Sequence, residues 1–367
     1  MLQAHIVRTV LAAGGWIGFD TFMALALYTP GLGYYANDRV KFGTMPGVEH
    51  AGEVGTASDF VTAPEMTPLF GQTLAAQVAQ ALELTQTNEI WEFGAGSGAL
   101  ALQLLQSLEA RGSPLPRYTI VELSGHLQAR QRERLEGYAS AVHWVNALPD
   151  TLEGVLLGNE VLDAMPVKLL ARVNGDWFER GVALKADGSS LVWQDRATDL
   201  RPPLAIEGGH DYLTEIHLQG EAFIRTLGDK LSAGAIFLID YGFPEHEYYH
   251  PQRHMGTVMC HQSHRSDTDP LSDVGLKDIT AHVNFTGIAL AAQEAGLGVL
   301  GYCTQARFLI NCGLGSLLEE VSLSERVMAQ RLITEHEMGE LFKVIGLYKG
   351  TPWQAIGFTH GDRTDTL

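Results

Sequence analysis

The chain has 367 residues, 46% of them hydrophobic and 19% charged, a balance that suits a large globular protein and excludes a disordered one. Its formal net charge of −18 repels a phosphate backbone over most of the surface, so a basic partner fits better than a nucleic acid. Cys260, Cys303 and Cys312 form neither a disulfide framework nor a CxxC pair, which points to a reducing, cytoplasmic setting.

Val10 to Trp16 is apolar, but Asp20 follows closely and the only basic groups before it are His5 and Arg8. The start therefore reads as a folded helix pair rather than a targeting peptide, and no run is long and apolar enough to span a bilayer. Residues 1–87 form a mostly helical region, interrupted by a glycine-rich loop from Gly43 to Gly55 and by the turn Thr62-Ala63-Pro64-Glu65. Thr67-Pro68 opens a further helix, Leu69 to Leu84. This region is expected to pack over the cofactor edge of the sheet that follows.

From residue 88 strands and helices alternate: strands at 89–93, 118–123, 143–147 and 155–157, helices near 99–110 and 124–137. Such βαβ alternation builds a parallel sheet. It breaks at Met165-Pro166, and 166–214 reads as an antiparallel β insertion with hairpin turns at Asn174-Gly175 and Asp187-Gly188. Helix 219–232 and strand 235–240 resume the sheet, so the core comprises 88–165 and 215–367. A long polar loop covers 242–278, and loops of that length inside compact domains usually serve function. A helix at 285–295, a strand at 297–303, further helix to about residue 340 and paired strands at 342–348 and 353–359 complete the chain. The sheet should be parallel except for one late antiparallel strand drawn from 342–348.

The chemistry concentrates at Glu92-Phe93-Gly94-Ala95-Gly96-Ser97-Gly98, a strand end, a glycine turn and a helix start. Glycines let backbone pass close to a cofactor, and a helix N-terminus offers unpaired N–H groups. Gly94-x-Gly96-x-x-Ala99 also satisfies a loose dinucleotide fingerprint, so a nicotinamide oxidoreductase is one alternative. Glu122, ending the next strand, suits ribose hydroxyls with either cofactor. Two features favour S-adenosylmethionine. Glu92 sets a carboxylate where a pyrophosphate would be repelled and a cationic methionine end welcomed, and Gly158-Asn159-Glu160-Val161-Leu162-Asp163 forms an acidic corner at the carboxyl edge, where a methyl acceptor would lie. Gly94, Ala95, Gly96, Glu92 and Glu122 with Leu123 should line the cofactor site, and Leu148 should lie near the adenine.

The chain resembles the MidA-like family of S-adenosylmethionine-dependent methyltransferases nearly end to end. The resemblance rests on Gly33-Tyr34-Tyr35, Asp59-Phe60-Val61-Thr62-Ala63-Pro64-Glu65, the glycine motif, Val121-Glu122-Leu123-Ser124, Asn159-Glu160-Val161-Leu162-Asp163-Ala164-Met165-Pro166, Asp240-Tyr241-Gly242, Asp278-Ile279-Thr280-Ala281-His282-Val283-Asn284-Phe285 and Met338-Gly339-Glu340. The glycine motif is generic to methyltransferases; the asparagine–glutamate corner, the Asp278 segment and the Asp59 segment are more specific. The longer, glycine-rich approach Gly43–Ser58 departs from the pattern. The resemblance implies a Rossmann-like class I sheet and closure of Asp59, Phe60 and Thr62 over the methionine end. It also implies methylation of a protein arginine to symmetric dimethylarginine, on a respiratory complex I subunit where mitochondrial members act as assembly factors.

Arginine is a hard acceptor because its guanidinium stays charged, and carboxylates can pair with two of its nitrogens while the third faces the methyl. Glu160 and Asp163, with Asn159, are the candidates for that work; Asp163 could instead cap the turn before Pro166. Glu215 is a further candidate, as a substrate-facing carboxylate or a solvated cap. His246, His250, His254, His261 and His264 cluster near Cys260, but Pro251 breaks the helix that His250-x3-His254 would need to hold zinc, so the segment reads as a polar lid without metal. The family comparison points to Arg253, Thr257 and His264 as parts of that loop near the acceptor. A non-catalytic assembly protein that retains the fold is the other alternative. No motif encodes an oligomeric state.

Overall fold

The computed structural model describes residues 1–37, 61–112, 114–188, 190–262 and 265–367. Among these the chain divides into two compact units, one from 1–37, 162–222 and 243–287, the other from 61–161, 223–242 and 288–367. The expected helical region 1–87 is therefore not one body. Its first two helices group with the β insertion, and its later helices join the sheet unit. Among the described residues no helix is long and apolar enough to cross a membrane.

Seven strands of the main sheet follow one another in the spatial order Gly298–Thr304, Phe342–Lys349, Leu231–Phe243, Leu152–Asn159, Glu89–Phe93, Arg117–Val121 and Val142–Val145. Only Phe342–Lys349 runs antiparallel to its neighbours, as expected from the sequence. The central strands are apolar on both faces: Val155, Leu156 and Leu157 are buried, as are Ala235 to Ile239. That pattern marks a parallel sheet covered on both sides. On one side Leu69–Thr85 packs against Ala99–Ala110, burying Leu74, Val78, Leu104 and Leu108.

Residues 353–359 do not form the expected strand. They carry a short 3₁₀ turn, Ile356–Phe358. Its backbone N–H groups are taken by side chains, Gly357 by Gln77 Oε1 at 2.9 Å and Ile356 by Gln80 Oε1 at 3.0 Å, which leaves no ladder to join. The Phe358 ring lies flat on the sheet where Gly301 and Gly346 omit side chains.

The other unit holds an antiparallel sheet. Asp176–Leu184 pairs with Lys168–Val173, with Leu191–Ala197 and with Trp16–Gly18, and Lys168–Val173 pairs on with Tyr212–Ile216. The Asn174-Gly175 turn forms as read, with φ of +52° and +91°, both values that favour these two residue types. Trp16–Gly18 is a strand the helical reading missed; its pairing with Asp176–Leu184 overrides local preference. Leu2–Ala12 and Phe19–Tyr28 pack against this sheet. The loop at 242–278 is more ordered than expected: it carries a helical turn, Glu245–Tyr248, and the strands Met259–Gln262 and Arg265–Asp267, the former pairing with Asp278–Thr280.

A Cβ on Gly301 would stand 2.2 Å from Phe358 Cγ. Gly301→Ala should therefore destabilise the protein by about 1–3 kcal/mol in urea unfolding, the usual cost of overpacking. Adding Phe358→Leu should recover part of that loss.

Candidate functional site

Register decides where the functional residues fall. Phe93 pairs with Val121 on one side and Gly158 on the other, Val121 pairs with Val145, and Gly158 pairs with Leu238. One residue past that line, at a common carboxyl edge, stand Gly94, Glu122 and Asn159. This is the crevice in which open α/β sheets hold their ligands.

Gly94, Gly96 and Gly98 take φ of +64°, +53° and +84°, a region closed to most side chains. A Cβ on Gly94 would also come within 2.9 Å of Val161 Cγ2. Ala95 is buried, and the helix Ala99–Ala110 starts at Gly98 with no side-chain cap. Its first N–H groups keep their donor character for an incoming ligand. The turn is a cradle that side chains would fill, and its fit to a cofactor rests on that.

Glu122 is held in a fixed orientation. Its Oε1 accepts from the Ser124 N–H at 2.8 Å and its Oε2 from Gln131 Nε2 at 3.2 Å. Gln131 also donates to the Gly96 carbonyl at 2.9 Å and accepts from the Trp144 indole at 2.9 Å. Leu123 is exposed beside Glu122. Leu148 is half-buried but lies three residues beyond Val142–Val145 rather than at the strand end.

Glu92 behaves differently from the sequence reading. It is 3% exposed, and its Oε2 accepts from the Tyr118 hydroxyl at 2.7 Å on the neighbouring strand. Burial raises its pKa to about 7, against a lowering by the Tyr118 bond. In this structure the carboxyl faces the sheet and is half protonated near neutrality, so it is not the fixed negative charge the sequence suggested.

Thr62 is half-buried and begins the short helix Ala63–Met66. Glu65 on that helix bonds Ser97 of the glycine turn, and Arg134 NH1 reaches both, at 3.1 Å from Glu65 Oε1. Gln103 Nε2 adds a 2.7 Å bond to the Pro64 carbonyl. The end of the Asp59 motif is thereby tied to the turn. Asp59 and Phe60 themselves, with Gly43–Ser58, lie outside the described residues, as does His264.

At the acidic corner, Glu160 is a non-glycine residue at φ +53°, a conformation that costs on the order of 1–3 kcal/mol and clusters at functional sites. Its N–H donates to the Ile239 carbonyl at 2.9 Å, and the next N–H, of Val161, donates to Asp240 Oδ2 at 3.1 Å. Asn159 Nδ2 donates to Glu160 Oε1 at 3.0 Å, while Asn159 Oδ1 is buried and finds no hydrogen-bond partner among the described residues.

Asp163 and Glu215 belong to the other unit. Asp163 is buried, and its carbonyl accepts from the Ala281 N–H at 2.9 Å. Nearby, both oxygens of buried Asp278 accept from Tyr35, which stacks on Tyr28. The phenols of Tyr28 and Tyr35 are pushed up, first by burial and then by Asp278 and Asp163. Glu215 is neither a solvated cap nor an open carboxylate. Fully buried, it accepts from the N–H groups of Thr257 (2.7 Å) and Val258 (3.1 Å) and from the Tyr248 hydroxyl (2.8 Å). Tyr248 also bonds His217, whose pKa burial lowers to about 4 with help from His282. Glu215 is thus the anchor of the loop around Thr257. Arg253 lies 3.7 Å over the Phe243 ring. Among the described residues no group of three or more His, Cys, Asp or Glu side chains is placed to hold a metal ion.

The sequence model of a family of S-adenosyl-L-methionine-dependent methyltransferases matches residues 73–303. The chain belongs to this family. A crystal structure from Burkholderia thailandensis, bound to S-adenosyl-homocysteine, is similar over 100% of this chain and 96% of its own, with 47% identity and a TM-score of 0.93. Among curated proteins, the mitochondrial protein arginine methyltransferase NDUFAF7 of Danio rerio is 26% identical over 92% of this chain and 85% of its own length. The Caenorhabditis elegans homolog is 24% identical over 95% and 87%. This methyltransferase therefore uses S-adenosylmethionine, and the nicotinamide alternative falls. The cytoplasmic setting read from the cysteines is corrected as well, because these relatives are named as mitochondrial proteins and point away from the cytoplasm.

Sequence reasoning missed Gln131, Trp144, Ser97 and Arg134. The signal for Gln131 was present: with Leu127 and Leu135 it completes an i, i+4, i+8 stripe, the one buried polar side chain on an otherwise charged helix.

Folded Glu92 keeps its proton up to about pH 7, whereas an unperturbed glutamate releases it near 4.5. The folded state binds the extra proton across that window, so stability falls as pH rises through it, and the deficit is complete above it. Glu92→Gln keeps an acceptor for Tyr118 and should flatten this dependence. In urea unfolding of cofactor-free protein it should gain about 3 kcal/mol at about pH 8 and little near pH 4.5.

Proposed function

We propose that this methyltransferase methylates a side-chain nitrogen of arginine in a client protein, with Glu160 as the carboxylate that orients the guanidinium. The observation that carries the reading is Glu160 itself, an acidic residue held in a left-handed conformation at the same sheet edge as the glycine turn and Glu122. The names of the curated relatives support the acceptor class.

Bound S-adenosylmethionine supplies an electrophilic methyl on a sulfonium. Gly94, Ala95 and Gly96 allow the backbone approach, and Glu122 receives the ribose hydroxyls, with Leu123 and Leu148 beside the nucleoside. Glu92, under the turn, can ionise when a cation lies near it, which gives it a conditional rather than a permanent charge. Thr62 begins the helix that Glu65 and Arg134 tie to the turn, at the methionine end.

Methyl transfer needs the acceptor nitrogen at about 3–3.5 Å from the methyl in near-attack geometry. Glu160, braced by Asn159 Nδ2, can pair with a guanidinium, and the buried Asn159 Oδ1 is an acceptor that an incoming N–H would satisfy. Glu160 or water can then take the proton released by the methylated nitrogen. Asp163 and Glu215 act through structure, by fixing the chain after the corner and the loop around Thr257. A net charge of −18 suits a basic client. Symmetric dimethylation of a respiratory complex I subunit is the first client and product to test.

Glu160→Gln should leave S-adenosylhomocysteine affinity intact and lower methyl transfer about a hundredfold, the loss of roughly 3 kcal/mol of transition-state stabilisation. The assay is transfer of labelled methyl to proteins of an extract from cells lacking the enzyme, with amino-acid analysis of the product. Glu215→Gln should instead lower the melting temperature. Label recovered in a residue other than arginine, or unchanged turnover in Glu160→Gln, would count against the reading.

A further inference from the structure

Gln131 sits at the crossing of three elements of the cofactor edge, and no part of the activity accounts for a fully buried amide on that helix. Its partners define it completely. The Trp144 indole can only donate, so it fixes Oε1 toward itself at 2.9 Å. The amide nitrogen must then face the other way, where it meets two acceptors, the Gly96 carbonyl at 2.9 Å and Glu122 Oε2 at 3.2 Å. A flipped amide would set oxygen against two oxygens and N–H against N–H, so only one orientation is viable.

We propose that Gln131 is a positioning residue for the cofactor's ribose: it locks the Glu122 carboxylate plane and the Gly96 carbonyl to each other, so that hydroxyl recognition and the glycine turn keep one fixed spacing. The inference rests on the reading of Glu122 as the ribose carboxylate. A glutamate carboxylate on a strand end otherwise turns about three side-chain torsions. Held by the Ser124 N–H on one oxygen and by Gln131 on the other, it presents a fixed face to a pair of vicinal hydroxyls. Trp144 extends the lock to the next strand, because its own position is set by Val142–Val145 pairing with Arg117–Val121. Gln131 touches no reacting atom in this scheme; it acts through Glu122 and Gly96.

The test compares binding of S-adenosylhomocysteine and of its 2′,3′-dideoxy analogue to the full-length protein by calorimetry. The variants are Glu122→Ala, Gln131→Leu and Gln131→Glu. The parent protein should prefer the hydroxyl-bearing ligand, and Glu122→Ala should remove the preference. Both Gln131 variants should cut it on the order of tenfold, the scale of a hydrogen bond to a charged group, with little change in affinity for the dideoxy ligand. Gln131→Glu keeps the acceptor for Trp144 while turning both donors into acceptors, so it should lose at least as much preference as Gln131→Leu. A purely structural role weakens both ligands alike in either variant. Either that pattern, or a preference retained in both Gln131 variants while Glu122→Ala abolishes it, overturns the inference and leaves the ribose reading standing. A parent protein indifferent to the hydroxyls overturns the ribose reading, and the inference with it.

Discussion

Parallel pairing in one register is the constraint on which the site depends. Phe93, Val121 and Gly158 occupy the same level of the sheet, so the glycine turn, the Glu122 carboxylate and the acidic corner emerge from three strands at one height without any loop having to search for the others. Slipping one strand by a single residue would exchange its two faces and carry its terminal acid away from the edge. The continuous apolar filling of both faces resists such a slip, since every alternative register would expose some of the side chains that are now buried.

Four glutamates show how little residue type says about role. Glu92 is buried against a phenol and held near its protonation midpoint, Glu215 is saturated by two backbone N–H groups and a hydroxyl, Glu122 is clamped at an edge, and Glu160 is carried on a strained backbone. What separates them is the count of donors each meets and the water left to it, neither of which is written in the motif that contains the residue.

The same distinction explains what could be read in advance. Short apolar runs, alternating patterns and period-3.6 stripes placed the parallel strands, the major helices, the Asn174-Gly175 hairpin and the single antiparallel strand, because each follows from local chemistry. The motif spacing also located the glycine turn and the asparagine–glutamate corner. Trp16–Gly18 was hidden because its conformation is imposed by a partner more than a hundred and sixty residues away. Residues 353–359 alternate like a strand, but their hydrogen bonds are taken by Gln77 and Gln80, and glutamine on a helix surface announces no such use. The burial of Glu92 and the closure around Glu215 likewise depend on tertiary neighbours, Tyr118 and Tyr248, that sequence spacing does not bring together.

The place of Phe342–Lys349 bears on how the molecule comes to be made. This strand lies between Leu231–Phe243 and Gly298–Thr304, both of which leave the ribosome before it. Until it arrives, two long apolar strands each present an unpaired edge, the form of nascent chain most prone to pair with another copy. Completion of the sheet is thus a late, long-range event that must wait for distant segments to meet. During synthesis the protein's vulnerability is concentrated in the interval between residue 243 and residue 349, where a chaperone would have most to protect.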